Sequence, residues 1–150
     1  MIEYLAAHHP GKVRLVPEDA DAALDVRIWD RFHDSYVHEQ MQKIVLDRLR
    51  PEDQTDPTGV AQAREQIRSS YAILDREMAD REWAAGEWFS MADCAAAPAL
   101  FYANKVEGIG PEHDNVTRYL DRLKARPSFA RVLAEAEPYF KFFPARPGDN

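Results

Sequence analysis

The groups in this chain that could do chemistry are few and scattered. Cys94 is the one cysteine. It falls in the first turn of a predicted helix, where the macrodipole lowers a thiol pKa, so a nucleophilic cysteine is one reading. Burial is the other, because alanines fill the three following positions and a hydrophobic staple would use this residue. His33 and His38 share a predicted helix with Asp30, Asp34 and Glu39, which invites a metal. A bundle di-iron centre takes Glu-x-x-His from two helices. The chain contains no Glu-x-x-His, and Asp30 to His33 only imitates the spacing. His8 and His9 are adjacent, diverge on a helix and precede Pro10. No glycine-rich phosphate loop, Gly-x-Ser-x-Gly elbow or His-Glu-x-x-His pair occurs. The expectation is therefore no catalytic residue and no metal site. What remains is an aromatic set, Trp29, Phe32 and Tyr36 followed by Met41, with Phe101 and Tyr102 further on. A stripe at helical spacing is either plain core or the lining of an apolar pocket.

The elements that position these residues are helical. Apolar residues recur three and four apart throughout, and runs of strict alternation are few. An unbroken stretch from about Asp19 to Arg50 sets Leu24, Ile28 and Phe32 on one stripe, with Val26, Trp29, Tyr36 and Val37 beside it, predicting a long helix with a wide buried face. After the loop "RPEDQTDPTG", Asp56 is the expected N-cap and Pro57 the first helical residue. That helix should run to about Arg81, with Val60, Ala63, Ile67, Tyr71, Leu74 and Met78 inward.

"WFSMADCAAAPALFYANKV" carries the most complete start signal. Ser90 as N-cap and Asp93 three residues on form a capping box, flanked by Phe89 and Cys94 at the staple positions. From Met91 to Ala103 only Asp93 and Pro98 interrupt the apolar residues, so this helix should be the bundle's central rod, kinked at Pro98. By the general scale for caps, losing either box residue costs about 0.5–2 kcal/mol. Two shorter helices follow. One is capped by Asn115, with Val116, Tyr119, Leu120 and Leu123 inward; the other begins at Pro127, with Phe129, Val132 and Leu133 inward. The aromatic run "PYFKFFP" comes after them.

Composition sets the outer limits. A chain of 150 residues, 45% hydrophobic and 30% charged, holds one ordinary domain with a real core. A net charge of -7 with singly scattered cations argues against nucleic acid as a partner. One cysteine excludes an intrachain disulfide and fits a reducing cytoplasm. No basic and apolar leader opens the chain, and no window approaches the ~18 apolar residues of a membrane span.

The box Ser90, Met91, Ala92, Asp93, opening an apolar helix after "GEWF", resembles the signature of the C-terminal helical domain of bacterial-type glutathione transferases. The remainder matches in order. "IEYLAAHHP" looks like the end of the last helix of that family's thioredoxin-like half, and "RLVPEDADAALDVRIWDRFHDSYV" like the linker and first helix of the helical half. "YAILDREMADREWAAGEWFSMADC" resembles its second helix and the turn into the box. "YLDRLKARPSFARVLAEAE" resembles its last two helices with their Arg-Pro-Ser-Phe junction. The resemblance implies an all-α bundle of about five helices around a buried central helix, with residues 1–18 a remnant plus linker and residues 19–150 the helical domain.

In that family the box is a folding determinant, so the resemblance makes Ser90 and Asp93 structural. It makes Trp29, Phe32, Tyr36, Met41 and Tyr102 the candidates for a hydrophobic co-substrate pocket. Relatives often have Pro before the Met of the first helix, where this chain has Gln40. Glutathione is the family's co-substrate and is bound mainly by the thioredoxin-like half, which this stretch lacks. The expectation is a cytoplasmic chain that takes an apolar small molecule, self-associates or forms a homodimer, and is inactive alone. The alternative is a stand-alone helical binding or interaction module.

Overall fold

The computed structural model describes residues 1–9 and 11–144. Their backbone is all-helical apart from connections and one isolated bridge between Trp83 and Gly86. The elements are α1 (Ile2–His8), α2 (Ala20–Phe32), a π-helical turn (His33–His38), α3 (Glu39–Asp47), α4 (Pro57–Glu77), α5 (Met91–Val106), α6 (Asp114–Ala125) and α7 (Pro127–Ala136), with short 3-10 turns at Glu52–Gln54 and Glu137–Phe142. Right-handed helical dihedrals persist through Phe32, His33, His38 and Glu39, so α2, the π turn and α3 are one rod. This rod and α6 pack along α5, the buried centre that the apolar run predicts, with α4 against the rod and α6, and α7 against α6. Residues 145–150, the end of the expected helical domain, lie outside the described residues.

The buried row of the first rod differs from the expected stripe. It runs Ala23, Val26, Trp29, His33, Val37, Met41 and Ile44, whereas Leu24, Ile28 and Tyr36 are each about half exposed. Two apolar rows at 3/4 spacing coexist here, and only the tertiary partner decides between them; α5 packs against the Ala23–Trp29 side. The π turn then lets backbone carbonyls leave the α pattern. Gln40 Nε2 donates to Ser35 C=O at 3.1 Å, and the buried Ser70 hydroxyl of α4 lies 3.1 Å from Tyr36 C=O and 2.8 Å from Gln66 C=O. A π turn is the usual signature of one inserted residue in a helix, and here its freed carbonyls find side-chain donors.

Further corrections concern helix ends. The rod stops at Asp47 and α4 at Glu77, where Met78 and Ala79 close the last turn on Leu74 and Arg76 carbonyls. Asp56 and Pro57 open α4 as expected, with Asp56 accepting from Gly59 N–H. Asn115 does not cap α6. His113 holds the N-cap position, and the cap is supplied by Asp75 of α4, whose Oδ1 accepts from the N–H groups of Asn115 at 2.8 Å and Val116 at 3.2 Å. The Asn115 side chain instead reaches α4, where Nδ2 donates to Asp75 C=O at 3.0 Å and to Asp75 Oδ2 at 3.2 Å. On α7, Val132 is about half exposed and Phe129 and Leu133 only partly buried. α5 runs unbroken through Pro98, which sits on its exposed side.

Both ends of α5 are tied by groups from other elements. At its start, Met91 N–H donates to Leu15 C=O of the linker at 2.9 Å. The box is reciprocal, and Asp93, fully buried, does more than close it. Its Oδ2 accepts from Ser90 N–H at 2.8 Å and Ser90 Oγ at 3.0 Å; its Oδ1 accepts from Ala84 N–H at 2.8 Å and the Tyr119 hydroxyl at 2.7 Å. The turn that delivers Ala84 is closed by paired bonds between Trp83 and Gly86 and needs glycine at Gly86, where φ is 129°. At the other end, Arg64 donates to Val106 C=O and, at 2.6 Å, to the Glu107 carboxylate. Arg68 reaches the same carboxylate at 2.8 Å, and Tyr71 Oη donates to Glu107 C=O at 3.0 Å. Arg64, Arg68 and Tyr71 lie on one face of α4; Arg64 and Tyr71 satisfy carbonyls that a helix C-terminus leaves open, and Arg68 helps hold the Glu107 carboxylate. Partial burial works against ionisation of Glu107, but the bonds from Arg64 and Arg68 hold its carboxyl below the usual range.

His33 sits wholly inside the bundle. Its Nδ1 lies 2.7 Å from Trp29 C=O, and Nε2 has no partner among the described residues. Nδ1 therefore carries the proton, and burial depresses the pKa to about 4.

Two predictions follow from this packing. Asp93→Ala strands four donors in the interior at once, so its cost should exceed that of an ordinary cap and reach about 3–5 kcal/mol. Tyr119→Phe, which removes one of those donors, should cost far less. Chemical denaturation of both variants checks this, and a loss below 2 kcal/mol for Asp93→Ala would contradict the four-bond role. For His33 the folded pKa lies below the unfolded value, so its stabilisation is complete above pH 6.5 and is lost as pH falls from 6.5 towards 4. The slope in that window should approach about 1.4 kcal/mol per pH unit. Denaturation midpoints from pH 7.5 to 4.5 should fall more gently in His33→Leu than in the parent.

Candidate functional site

The five residues expected to line a pocket fall into three settings. Trp29, Phe32 and Tyr36, at i, i+3 and i+7, form a ladder. Phe32 meets the edge of Trp29 with ring centres 5.2 Å apart, and Tyr36 tilts against Phe32 at 5.4 Å. Exposure rises along it, from the almost buried Trp29 to the half-exposed Tyr36. The inner end is closed by His33, 5.8 Å from Phe32, and by the Arg81 guanidinium 5.5 Å over the Trp29 ring. Met41 belongs to the core row and is 5% exposed, too little to meet a ligand without rearrangement. Tyr102 belongs to a different aromatic group. It stacks on Phe143 at 5.4 Å, beside Phe101, which meets Phe129 and Phe140. The shallow cavity it lines, about 260 Å³, is shared with Tyr139, Phe140, Phe142 and Phe143 and with none of the other four.

The chemical groups are quiet. Burial first, and then the neighbouring Asp93 carboxylate, push the Cys94 thiol up, against the macrodipole effect that would make it a nucleophile. Burial and the Asp93 carboxylate likewise hold the Tyr119 phenol well above its ordinary value, so it stays a donor. Burial and the nearby Asp34 raise Asp30. Among the described residues no three His, Cys, Asp or Glu side chains gather with metal-binding geometry. Ser90 and Asp93 are wholly buried within the box.

One feature was not legible in the pattern. A cleft of about 510 Å³ opens between the linker, α5 and α7, lined by Val13, Leu15, Cys94, Pro98, Phe129 and Val132, with Phe89 and Arg126 at its edge. The two staple positions, Phe89 and Cys94, thus line one cleft. Arg126 lies flat on Phe89, its guanidinium carbon 3.6 Å from the ring centre. The staple positions and the Arg-Pro-Ser-Phe junction were visible in the sequence, but their convergence on one cleft was not.

Residues 36–127 match the family described as glutathione S-transferase, C-terminal domain. The glutathione S-transferase GstB of Escherichia coli K12 is 23% identical over 134 residues, covering 89% of this chain and 64% of its own length. The FtsZ-localized protein A of Caulobacter vibrioides is 29% identical over 127 residues, covering 81% of this chain and 54% of its own length. A glutathione S-transferase crystal structure from Methylobacillus flagellatus, with glutathione bound, superposes with a TM-score of 0.76 at 26% identity, over 86% of this chain and 64% of that one. The chain thus spans under two thirds of the length of these relatives. Its all-α bundle, its buried capped rod and its sequence together place the chain in the glutathione S-transferase family, as the C-terminal helical domain of that fold.

Proposed function

We propose that this chain is the helical, co-substrate-side part of a glutathione transferase whose full-length form conjugates the glutathione thiolate to an apolar electrophile. The observation that carries the reading is the family match over residues 36–127. A relative of this fold holds glutathione in its crystal structure, and here burial raises the Cys94 thiol and the Tyr119 phenol away from the reactive anion. The chain contributes surface, and glutathione activation belongs to a thioredoxin-like half. Residues 1–18, with α1 tied to α2 by Glu3 and Arg27 at 2.7 Å, are read as the end of that half and its linker, and residues 19–150 as the helical domain. The apolar co-substrate meets Tyr36 and Phe32 at the open end of the ladder, with Trp29 and Met41 as its backing, while Tyr102, grouped with Phe143, offers a separate apolar contact. The acidic chain works in the cytoplasm, without nucleic acid, as a homodimer; no described helix is long and apolar enough to cross a membrane.

A second reading is favoured by one likeness. A relative named for its localisation with FtsZ is similar over 127 residues of this chain, which supports use of this bundle as an interaction module.

Calorimetry with glutathione and a conjugation assay with a generic aryl halide, both on the 150-residue chain, separate these roles from an autonomous enzyme. No binding and no turnover are expected; either one, clearly present, refutes the division of labour. For the pocket, Tyr36→Ala should weaken binding of an apolar fluorescent probe about three- to tenfold, the loss expected on removing one partly buried aromatic contact. Its melting curve should remain near the parent's, since Tyr36 is half exposed.

A further inference from the structure

We propose that Gln40 and Ser70 are positioning residues for the Tyr36 ring: they hold the two backbone carbonyls on either side of its Cα and so set where the open end of the aromatic ladder stands. The consequence for ligands rests on the apolar co-substrate meeting Tyr36, as proposed above; the tether itself does not.

Tyr36 lies in the π turn, a form less favoured than the α-helix and kept where other groups hold it. Two side chains do so here, on consecutive carbonyls. Gln40 Nε2 donates to Ser35 C=O at 3.1 Å, and the Ser70 hydroxyl lies 3.1 Å from Tyr36 C=O. Those carbonyls belong to the peptide planes before and after the Tyr36 Cα, and each plane is rigid. Holding both planes fixes φ and ψ at Tyr36, and with them the direction of its Cα–Cβ bond. Each donor is itself placed. Lys43 Nζ donates to Gln40 Oε1 at 2.9 Å, which occupies the amide oxygen and leaves Nε2 for Ser35. Ser70 is wholly buried on α4, in a row otherwise made of Ala63, Ile67, Tyr71 and Leu74. A hydroxyl among such neighbours costs free energy unless it is bonded. The Gln66 carbonyl, 2.8 Å from Ser70 Oγ, already accepts within the α4 ladder, so the need for the hydroxyl lies at Tyr36. The Tyr36 ring is half exposed and leans on Phe32 at 5.4 Å, so packing supports it on one side and the backbone supplies the rest.

Fluorotyrosine incorporated into the 150-residue chain gives six reporters, and the Tyr36 signal is the one lost in Tyr36→Phe. Gln40→Met and Ser70→Ala should each shift or broaden the Tyr36 fluorine resonance and leave those of Tyr4, Tyr119 and Tyr139 in place. Each should also weaken binding of the neutral probe N-phenyl-1-naphthylamine about two- to fivefold, a modest coupling between neighbours. Neither should weaken it further once Tyr36→Ala is present. Gln40→Met answers the question even where Ser70→Ala, in the core, folds poorly. A Tyr36 resonance unmoved in both variants would overturn the proposal. So would an equal loss of probe binding in the Tyr36→Ala background, because the two side chains would then act on the bundle at large. A moved resonance with unchanged probe affinity would support the tether and refute Tyr36 as the place where the co-substrate binds.

Discussion

The bundle depends on one carboxylate placed where water cannot reach it. Asp93 has to find donors inside the protein, and it finds them on three separate pieces of chain: the residue that starts α5, the tight turn closed at Gly86, and the middle of α6. A buried polar group is tolerable only when satisfied, so the turn, the rod and α6 must all be in place together. Among the described residues no other buried side chain ties so many elements at one point. The apolar core around it supplies the bulk of the stabilisation, yet hydrophobic burial is indifferent to register; the four bonds to Asp93 are directional.

The rest of the rod follows the same logic. α5 offers the surroundings alanine methyls and aliphatic side chains along its length, which let neighbours come close. Its two ends, where open backbone groups would be costly, are closed by other elements: the linker and the box at the start, and an arginine, arginine and tyrosine row of α4 at the finish. Against this fixed centre the first rod adjusts by one π turn, and the carbonyls displaced there are taken by Gln40 and Ser70. The aromatic ladder starts beside that turn, which positions Phe32 and Tyr36 at the surface while Val37 and Met41 return to the core.

Much of this was legible in the residues. The all-helical class, the central rod, the Asp56–Pro57 start and the Ser90–Asp93 box rest on local rules, periodicity and capping, and the structure agrees with each. What could not be read was decided by partners distant in sequence. Leu24 and Ile28 have the spacing of a core stripe, but α5 meets the adjacent row. Asn115 has the residue type of a cap, yet Asp75 displaces it from that role. The π turn leaves no mark in residue type. At the candidate site, the spacing of Trp29, Phe32 and Tyr36 was visible, whereas the separate grouping of Tyr102 with Phe143 required the path of the last turn. The cleft beside Arg126 needs three elements to converge and has no local pattern.

The borrowed cap of α6 bears on how the chain comes together. Asp75 closes the first turn of α6 across 40 residues of sequence, and Tyr71 closes the last turn of α5 across 36. Helices finished by such remote groups are incomplete until the bundle itself has formed, which raises the contact order above that of a simple up-and-down helical hairpin. α6 has no side-chain cap of its own, so cutting or fraying α4 takes away its start signal, and opening at one place propagates to the other. The chain is thereby built to fold and unfold as one cooperative unit, with few half-formed species in which its apolar rod would be left uncovered.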